Sequence, residues 1–339
     1  MKHNTPLASR IGIGLPAALA VVMALMGDPL AEAEAETDAD SSTWTMQADE
    51  PGCNGAELAV PQQSPAYYAE HPDLFADDED ATPQVRAELD EIALEQPTVI
   101  TQADCYQSDE PRLHSAPDMS ADMARRNAAS GSYNWAGYWT GKKSFLIYAV
   151  TMDWTVPKVS ATSAKTDVSI WPGLGSGASS SDQLVQAGTA QYSKSTYFWY
   201  EIYPFEYEVA VKGIAVVPGN HVRVIVSFNT SKKTANFYFY NQTRHTFMQV
   251  AQKLTKGKFV GHQAEWVIER PMISGHYAVL PKFSNIPTSR AWYLRPGAKA
   301  WTSLPTGNRI TMVNSAKKTL VALSAAKKSA FTATWKRAA

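Results

Sequence analysis

A chain of 339 residues is long enough for one large domain or two modest ones. Apolar residues make up 45 % and charged residues only 19 %, with glycine, proline and aromatics plentiful, a balance that favours a β-rich globular protein over a helical one. The two cysteines, Cys53 and Cys105, leave the last two-thirds without a thiol, which excludes thiol catalysis and thiolate metal sites there. In an oxidising compartment the two either pair or stay apart, and sequence does not decide between these.

The N-terminus reads as an export signal. Lys2, His3 and Arg10 form a basic start, an apolar run over 11–26 is broken by Gly14 and Pro16, and Ala31-Glu32-Ala33 offers small residues for cleavage. The run is too short and interrupted for a membrane span. The expectation is a signal peptide over 1–33 and a secreted, extracellular product with no membrane partner after cleavage.

The net charge of −1 hides a sharp division. Between Glu32 and Glu110 there are 21 acidic residues and one basic residue, Arg86, whereas from Gly131 onward 25 Lys and Arg accompany eight acids. An acidic leader over 34–129 therefore precedes a basic domain over 130–339. Runs such as Asp77-Asp78-Glu79-Asp80 suit a largely irregular leader. Within it, Thr82-Pro83 is a helix start, and Val85, Leu89 and Ile92 recur at helical spacing until Pro97. This predicts a short amphipathic helix that needs a surface to pack on. A second helical piece over 119–129 carries Arg125-Arg126, either a solvated helix face or a processing site.

After Gly131 the pattern predicts strands over 146–156, 167–171, 184–192, 196–203, 209–217, 221–228, 234–240, 263–269, 309–313 and 331–335. Turn signals such as Pro218-Gly219-Asn220 and Lys256-Gly257-Lys258 separate them. Short strands at even spacing without intervening helices argue an all-β sandwich.

The common catalytic signatures are missing: no Gly-x-Ser-x-Gly elbow, no His-Glu-x-x-His zinc helix, no Gly-rich phosphate loop and no Asp-Thr-Gly. His221, His245, His262 and His276 are scattered singly and read as ordinary surface histidines. Three segments place polar residues among aromatics: Gln186 in 184–189, Glu201 in Trp199-Tyr200-Glu201-Ile202-Tyr203-Pro204, and Glu265 and Glu269 in 264–271. Strand alternation puts Glu265 and Glu269 on one face, opposite Trp266 and Ile268, and groups Trp199, Glu201 and Tyr203 on another. Each alone also fits the polar outer face of a sheet.

Taken in order, Asn134-Trp135-Ala136-Gly137, Val156-Pro157, Trp171-Pro172-Gly173, Gln186-Ala187-Gly188-Thr189, the 199–204 segment and Ala264-Glu265-Trp266-Val267-Ile268-Glu269 resemble the glutamic peptidases, or eqolisins. The closing Phe331-Thr332-Ala333-Thr334-Trp335 resembles bacterial-type members. The resemblance covers about residues 130–337. It implies a concanavalin-like sandwich of two seven-stranded antiparallel sheets, made with a signal and a pro-segment and active at acid pH. It carries the catalytic pair onto Gln186 and Glu269, and substrate-binding roles onto Trp135, Trp171, Glu201 and Tyr203.

The implied chemistry is hydrolysis by an activated water. Glu269 takes the water's proton, the Gln186 amide donates to the developing oxyanion, and Glu269 returns the proton to the leaving nitrogen. Carboxyl groups ionise near pH 4, which suits an acidic working range. No metal or cofactor is called for. The expected partners are protein or peptide substrates and the chain's own acidic pro-segment, on a monomer with no nucleic-acid partner. Three positions depart from the family pattern, where acids are replaced by Gly175, Ala190 and Tyr197. The alternative reading is a catalytically impaired sandwich that binds peptide or carbohydrate.

Overall fold

The computed structural model describes residues 82–100, 104–106, 111–118, 130–142, 144–160, 165–175, 183–305 and 308–338, all within one compact unit, Ser42–Ala339. The expected signal peptide, Cys53 and the Arg125-Arg126 piece lie outside the described residues.

Helix α1 (Pro83–Leu94) starts where the sequence places it: the Thr82 side chain caps the Val85 N–H at 3.5 Å, with proline in the first turn. It packs on the outer face of a back sheet. The strand order there is Thr246–Lys253, Thr234–Asn241, His221–Asn229, Ala149–Thr155 and Ile286–Leu294, all antiparallel. Thr98–Val99 adds a parallel edge beside Thr246 and Phe247, and Thr302–Ser303 closes the other edge.

The front sheet runs from Asp104–Tyr106 through Val209–Lys212, Ser195–Tyr203, Leu184–Tyr192, Asp167–Gly175, Gln263–Glu269 and Trp135–Gly141 to Arg309–Val313. Beyond it lie Thr319–Leu323 and Thr332–Trp335. Ile286 and Pro287 pair with this last strand, so Ile286–Leu294 ties the two sheets together.

The result is the all-β sandwich the sequence predicts. Leu184–Tyr192, Gln263–Glu269 and Arg309–Val313 fall on their predicted bounds. The strand predicted over 209–217 ends at Lys212, because the backbone turns through Gly213 at φ 98°. The strands Trp135–Gly141, Thr246–Lys253, Ile286–Leu294 and Thr319–Leu323 are additions to the predicted set. Trp135–Gly141 is buried on nearly every residue and so lacks the period-2 alternation that marks a half-exposed strand.

The sheets meet through Trp154, Val224, Phe237 and Phe239 on one side and Ile170, Phe198, Trp266 and Ile268 on the other. Two indoles reach across: Trp154 donates to Thr189 Oγ1 at 3.1 Å, and Trp266 to the Thr151 carbonyl at 2.9 Å. Each buried indole contributes roughly 4–6 kcal/mol of transfer free energy, provided its N–H finds an acceptor.

The face of the front sheet turned away from this core carries the aromatic cluster Trp135, Trp171, Trp199 and Tyr203, with Leu184 and Val267. Small residues make room for it. A Cβ on Gly188 would lie 2.0 Å from the Ile170 carbonyl oxygen and 2.7 Å from Trp171 Cβ; one on Gly173 would lie 2.8 Å from the Trp171 ring. Gly188→Ala should therefore lower Tm by about 5–10 °C in a thermal melt, since overpacking against backbone costs about 1–3 kcal/mol.

Candidate active site

Strand register lays out the site on the outer face of the front sheet. Gln186 pairs with Glu201 on one side and Gly173 on the other, and Gly173 pairs with Glu265. Four residues further along its strand, Glu269 lies between Trp135 and Ser169; beyond Ser169 come Ala190 and Tyr197. Gln186 and Glu269 thus occupy different strands and different rows, and something must span the distance between them.

The spanning group is His114, from the leader. Its Nδ1 lies 2.9 Å from Glu269 Oε2 and its Nε2 lies 2.7 Å from Glu208 Oε2. Its ring stacks on Trp199 with centroids 3.7 Å apart and planes 3° from parallel. The backbone is held as well: the Gln186 amide donates to the His114 carbonyl at 2.8 Å, and the His114 N–H donates to the Glu201 carboxylate at 3.0 and 3.3 Å. The ring, the amide and all three carboxylates are fully or almost fully buried.

Two residues earlier, Arg112 enters the same layer. Its Nε donates to Glu208 Oε1 at 2.8 Å, and its guanidinium lies over the rings of Tyr192 and Tyr197, 4.4 and 5.3 Å from their centroids. The Glu208 N–H donates back to the Arg112 carbonyl at 3.0 Å, and the Tyr197 hydroxyl donates to Glu208 Oε1 at 2.9 Å. Arg112–Leu113 also forms a short ladder with Met272–Ile273, just past Glu269.

The charges sort themselves within this dry cluster. Burial opposes a charge on His114, but the attraction of Glu269 and the hydrogen bonds to Glu208 and Glu269 win, holding its pKa up at about 10. Burial equally opposes a charge on Glu208, yet Arg112 and His114 hold it down at about 2. Glu201 moves the other way: burial pushes it well above the usual carboxylate range, with His114 only partly offsetting this. Asp167, at the edge of the cluster, is raised to about 7 by burial and by the neighbouring Glu208 charge. Glu265, buried and without a partner among the described residues, is raised to about 8 by burial alone.

Glu269 is also fixed from its own face of the sheet. Trp171 Nε1 donates to Glu269 Oε2 at 2.8 Å, and Trp135 packs edge-on against Trp171 with centroids 4.9 Å apart. Oε1 of Glu269 and Oε1 of Gln186 have no hydrogen-bond partner among the described residues. The arrangement therefore presents an amide donor to the backbone carbonyl of one residue and an oriented carboxylate to its ring.

Of the residues picked out by sequence, Gln186, Glu269, Glu201 and Trp171 touch His114 or one another, Trp135 supports Trp171, and Tyr203 joins the aromatic cluster beyond Glu201. Sequence reasoning missed His114, Arg112, Glu208, Asp167 and Tyr197. One signal pointed to the first two: Arg112-Leu113-His114 is a basic patch directly after a stretch, Glu32 to Glu110, in which Arg86 is the one Lys or Arg. Of the three departures from the expected acids, Tyr197 is met by Glu208, which brings a carboxylate to its hydroxyl from the chain before Val209–Lys212.

An all-β sandwich with a glutamine, glutamates and tryptophans converging on a peptide segment defines a glutamic-type peptidase scaffold. The chain belongs to the Peptidase A4 family, whose model matches residues 133–335, and so to the glutamic peptidases. Among solved structures it is similar to scytalido-glutamic peptidase. With a transition state analog inhibitor bound, that structure aligns at a TM-score of 0.54 and 16 % identity. With a peptide-based analog bound it aligns at 0.52 and 17 %. Both alignments cover 60 % of this chain and 98 % of that one. The aspergilloglutamic peptidase of Aspergillus niger aligns at 0.45 with 19 % identity, over 50 % of this chain and 99 % of that one. No curated protein sequence matches the chain.

Free imidazole titrates near pH 6.5. By 15N NMR, the His114 ring in the full chain should still be protonated at pH 8. Glu208→Gln should bring its titration back towards neutrality, and a wild-type ring neutral at pH 8 would contradict the charge assignment.

Proposed function

We propose that this protein is a secreted, pepstatin-insensitive acid endopeptidase, made as a zymogen, that hydrolyses peptide bonds with Gln186 and Glu269. It acts on protein or peptide substrates as a monomer, and its chemistry needs no metal or cofactor. The observation that carries the reading is the double grip on His114: the Gln186 amide holds its carbonyl oxygen, while Glu269 holds its ring 2.9 Å away.

In this reading the His114 carbonyl stands in for a scissile carbonyl, and the imidazole stands where the attacking water would be placed. With substrate bound, Glu269 removes a proton from that water through a carboxylate oriented by Trp171. The hydroxide adds to the carbonyl carbon, and the charge that develops on oxygen is met by the Gln186 Nε2–H. Protonated Glu269 then gives its proton to the amide nitrogen as the C–N bond breaks, leaving a carboxylic acid and an amine. Glu201 accepts the N–H of the residue that contributes the scissile carbonyl, as it does for His114, and so fixes the strand's position. The same contacts explain inhibition, since a ring in the water's place blocks attack on a bond otherwise seated like substrate.

The pH response follows from the ion cluster. Docking depresses Glu208, so its contribution is full above about pH 4.5 and is lost as pH falls towards 2. Docking raises His114, so its contribution is full below about pH 6.5 and is lost only as pH climbs towards 10. Asp167 and Glu201 are raised chiefly by burial, with Arg112 and His114 offsetting this in part, so whatever docking adds to their burial favours the docked segment once they are protonated, and loss of the Glu208 charge is what opposes it. The segment is held most firmly at about pH 4.5–6.5 and released on acidification.

Gln186→Ala should reduce kcat by about 10²–10³-fold, and Glu269→Gln by at least about 10²-fold, with unchanged circular dichroism. The assay is casein digestion at pH 3–4 with pepstatin present; near-wild-type turnover by either variant would refute the pair. His114→Ala should give a full-length chain that cleaves a peptide substrate at pH 5–6 without acid pretreatment. A variant as silent there as wild type would show that the ring is not the block.

A further inference from the structure

Besides its short edge strand Asp104–Tyr106 on the front sheet, the leader grips the domain at two places, and they are built differently. At the active site the leader supplies cations and the domain supplies carboxylates. At helix α1 the signs are reversed. Glu88, only 6 % exposed, accepts from Arg290 Nη1 at 2.9 and 3.1 Å and from Arg223 Nη1 at 3.3 Å. Glu91 pairs with Arg290. Arg223 in turn grips Asp153 through two hydrogen bonds of 2.9 and 3.3 Å. Without Glu88 and Glu91, two guanidiniums on this face would share one carboxylate.

The back sheet is shaped for this contact. Its pairing slips between Ser289 and Trp292, and Arg290 sits at the slip with φ 48°, a left-handed conformation that costs a non-glycine residue energy. The bulge turns the Arg290 side chain onto the helix. Around the ions, Val85, Leu89 and Ile92 are wholly buried against Ile225, Tyr238, Tyr240, Phe247 and Leu294. Trp301 Nε1 donates to the Gln84 carbonyl at 3.3 Å, and the Tyr240 hydroxyl donates to Glu95. The chain then continues as a strand of the sheet: the Thr98 N–H donates to His245 O at 2.7 Å, and the Ile100 N–H to Phe247 O at 2.8 Å. None of these contacts involves Gln186, Glu269 or their neighbours.

From this we infer that residues 82–100 are a permanent part of the mature enzyme rather than discarded pro-segment. Cleavage downstream of the helix frees the active site, while the helix and its strand stay bound to the back sheet as a small, non-covalent second chain. The inference rests on the reading that the chain is processed, but it concerns a surface remote from catalysis. Acid protonates Glu88, whose pKa burial raises, and so weakens its pairs, but it leaves the apolar seat and the backbone ladder intact.

The test cuts the chain without using its own activity. A recognition sequence for a site-specific protease replaces residues 101–103, upstream of the front-sheet edge strand Asp104–Tyr106, in a full-length Glu269→Gln chain, which is cut at pH 7 and run on a sizing column with mass spectrometry of each peak. The expected result is co-elution of the N-terminal fragment with the domain at micromolar concentration. Leu89→Asp should release the fragment. Arg290→Gln, a milder change at a partly exposed residue, should weaken its retention at least about 10-fold. A wild-type fragment that elutes alone and leaves a monodisperse domain with unchanged tryptophan fluorescence would overturn the inference, as would full retention in both variants. Because the cut is made by an added protease at pH 7, none of these outcomes depends on whether Gln186 and Glu269 are the catalytic pair.

Discussion

The cost of keeping charge out of water governs this molecule. The domain from Gly131 onward has 25 basic residues and eight acids, yet the acids are not its surface. Among the described ones, Asp153, Asp167, Glu201, Glu208, Glu265 and Glu269 are buried, and Glu206 is half-buried. A buried carboxylate must find a cation and hydrogen bonds, or else take up a proton. Glu208 and Asp153 do the first, through Arg112, His114 and Arg223, while Glu201 and Glu265 are pushed towards the second. The leader exists in this structure as a supplier of counter-charge: cations at one face, carboxylates at the other.

That division separates two jobs within one segment. The active-site contact is an ionic lock around one imidazole, sensitive to protonation because its stability rests on Glu208 staying charged. The helix contact combines ions with a wholly apolar seat and a backbone ladder, neither of which titrates. A leader built in this way is able to lose one grip while keeping the other.

The front sheet provides the rigidity that catalysis requires. Register alone brings Gln186 beside Glu201 and sets Glu269 between Trp135 and Ser169. Glycines at 173 and 188 let the Trp171 indole lie against the sheet, and from there its N–H reaches Glu269. The geometry of the proposed catalytic pair is thus a by-product of strand pairing and of missing Cβ atoms, with Trp135 packed behind Trp171 to hold it in place.

Much of this was legible in the residues. Strand alternation separated Trp266 and Ile268, now in the inter-sheet core, from Glu265 and Glu269 on the opposite face. Thr82-Pro83 with Val85, Leu89 and Ile92 marked the one helix and its buried side, because capping and a 3.6-residue period are local properties. Trp135–Gly141 escaped because a strand buried on both faces has no alternation to read. His114 and Glu208 escaped for a different reason: their roles come from partners 155 and 94 positions from His114 along the chain, and no local pattern records such a distance. By itself the sequence determined the elements, the apolar faces and the charge division, all set by neighbours within a few residues. Only the tertiary structure decided which carboxylate stays charged, which residue bridges Gln186 and Glu269 and which part of the leader packs on the back sheet, because those depend on how several separate segments share one patch of low-dielectric interior.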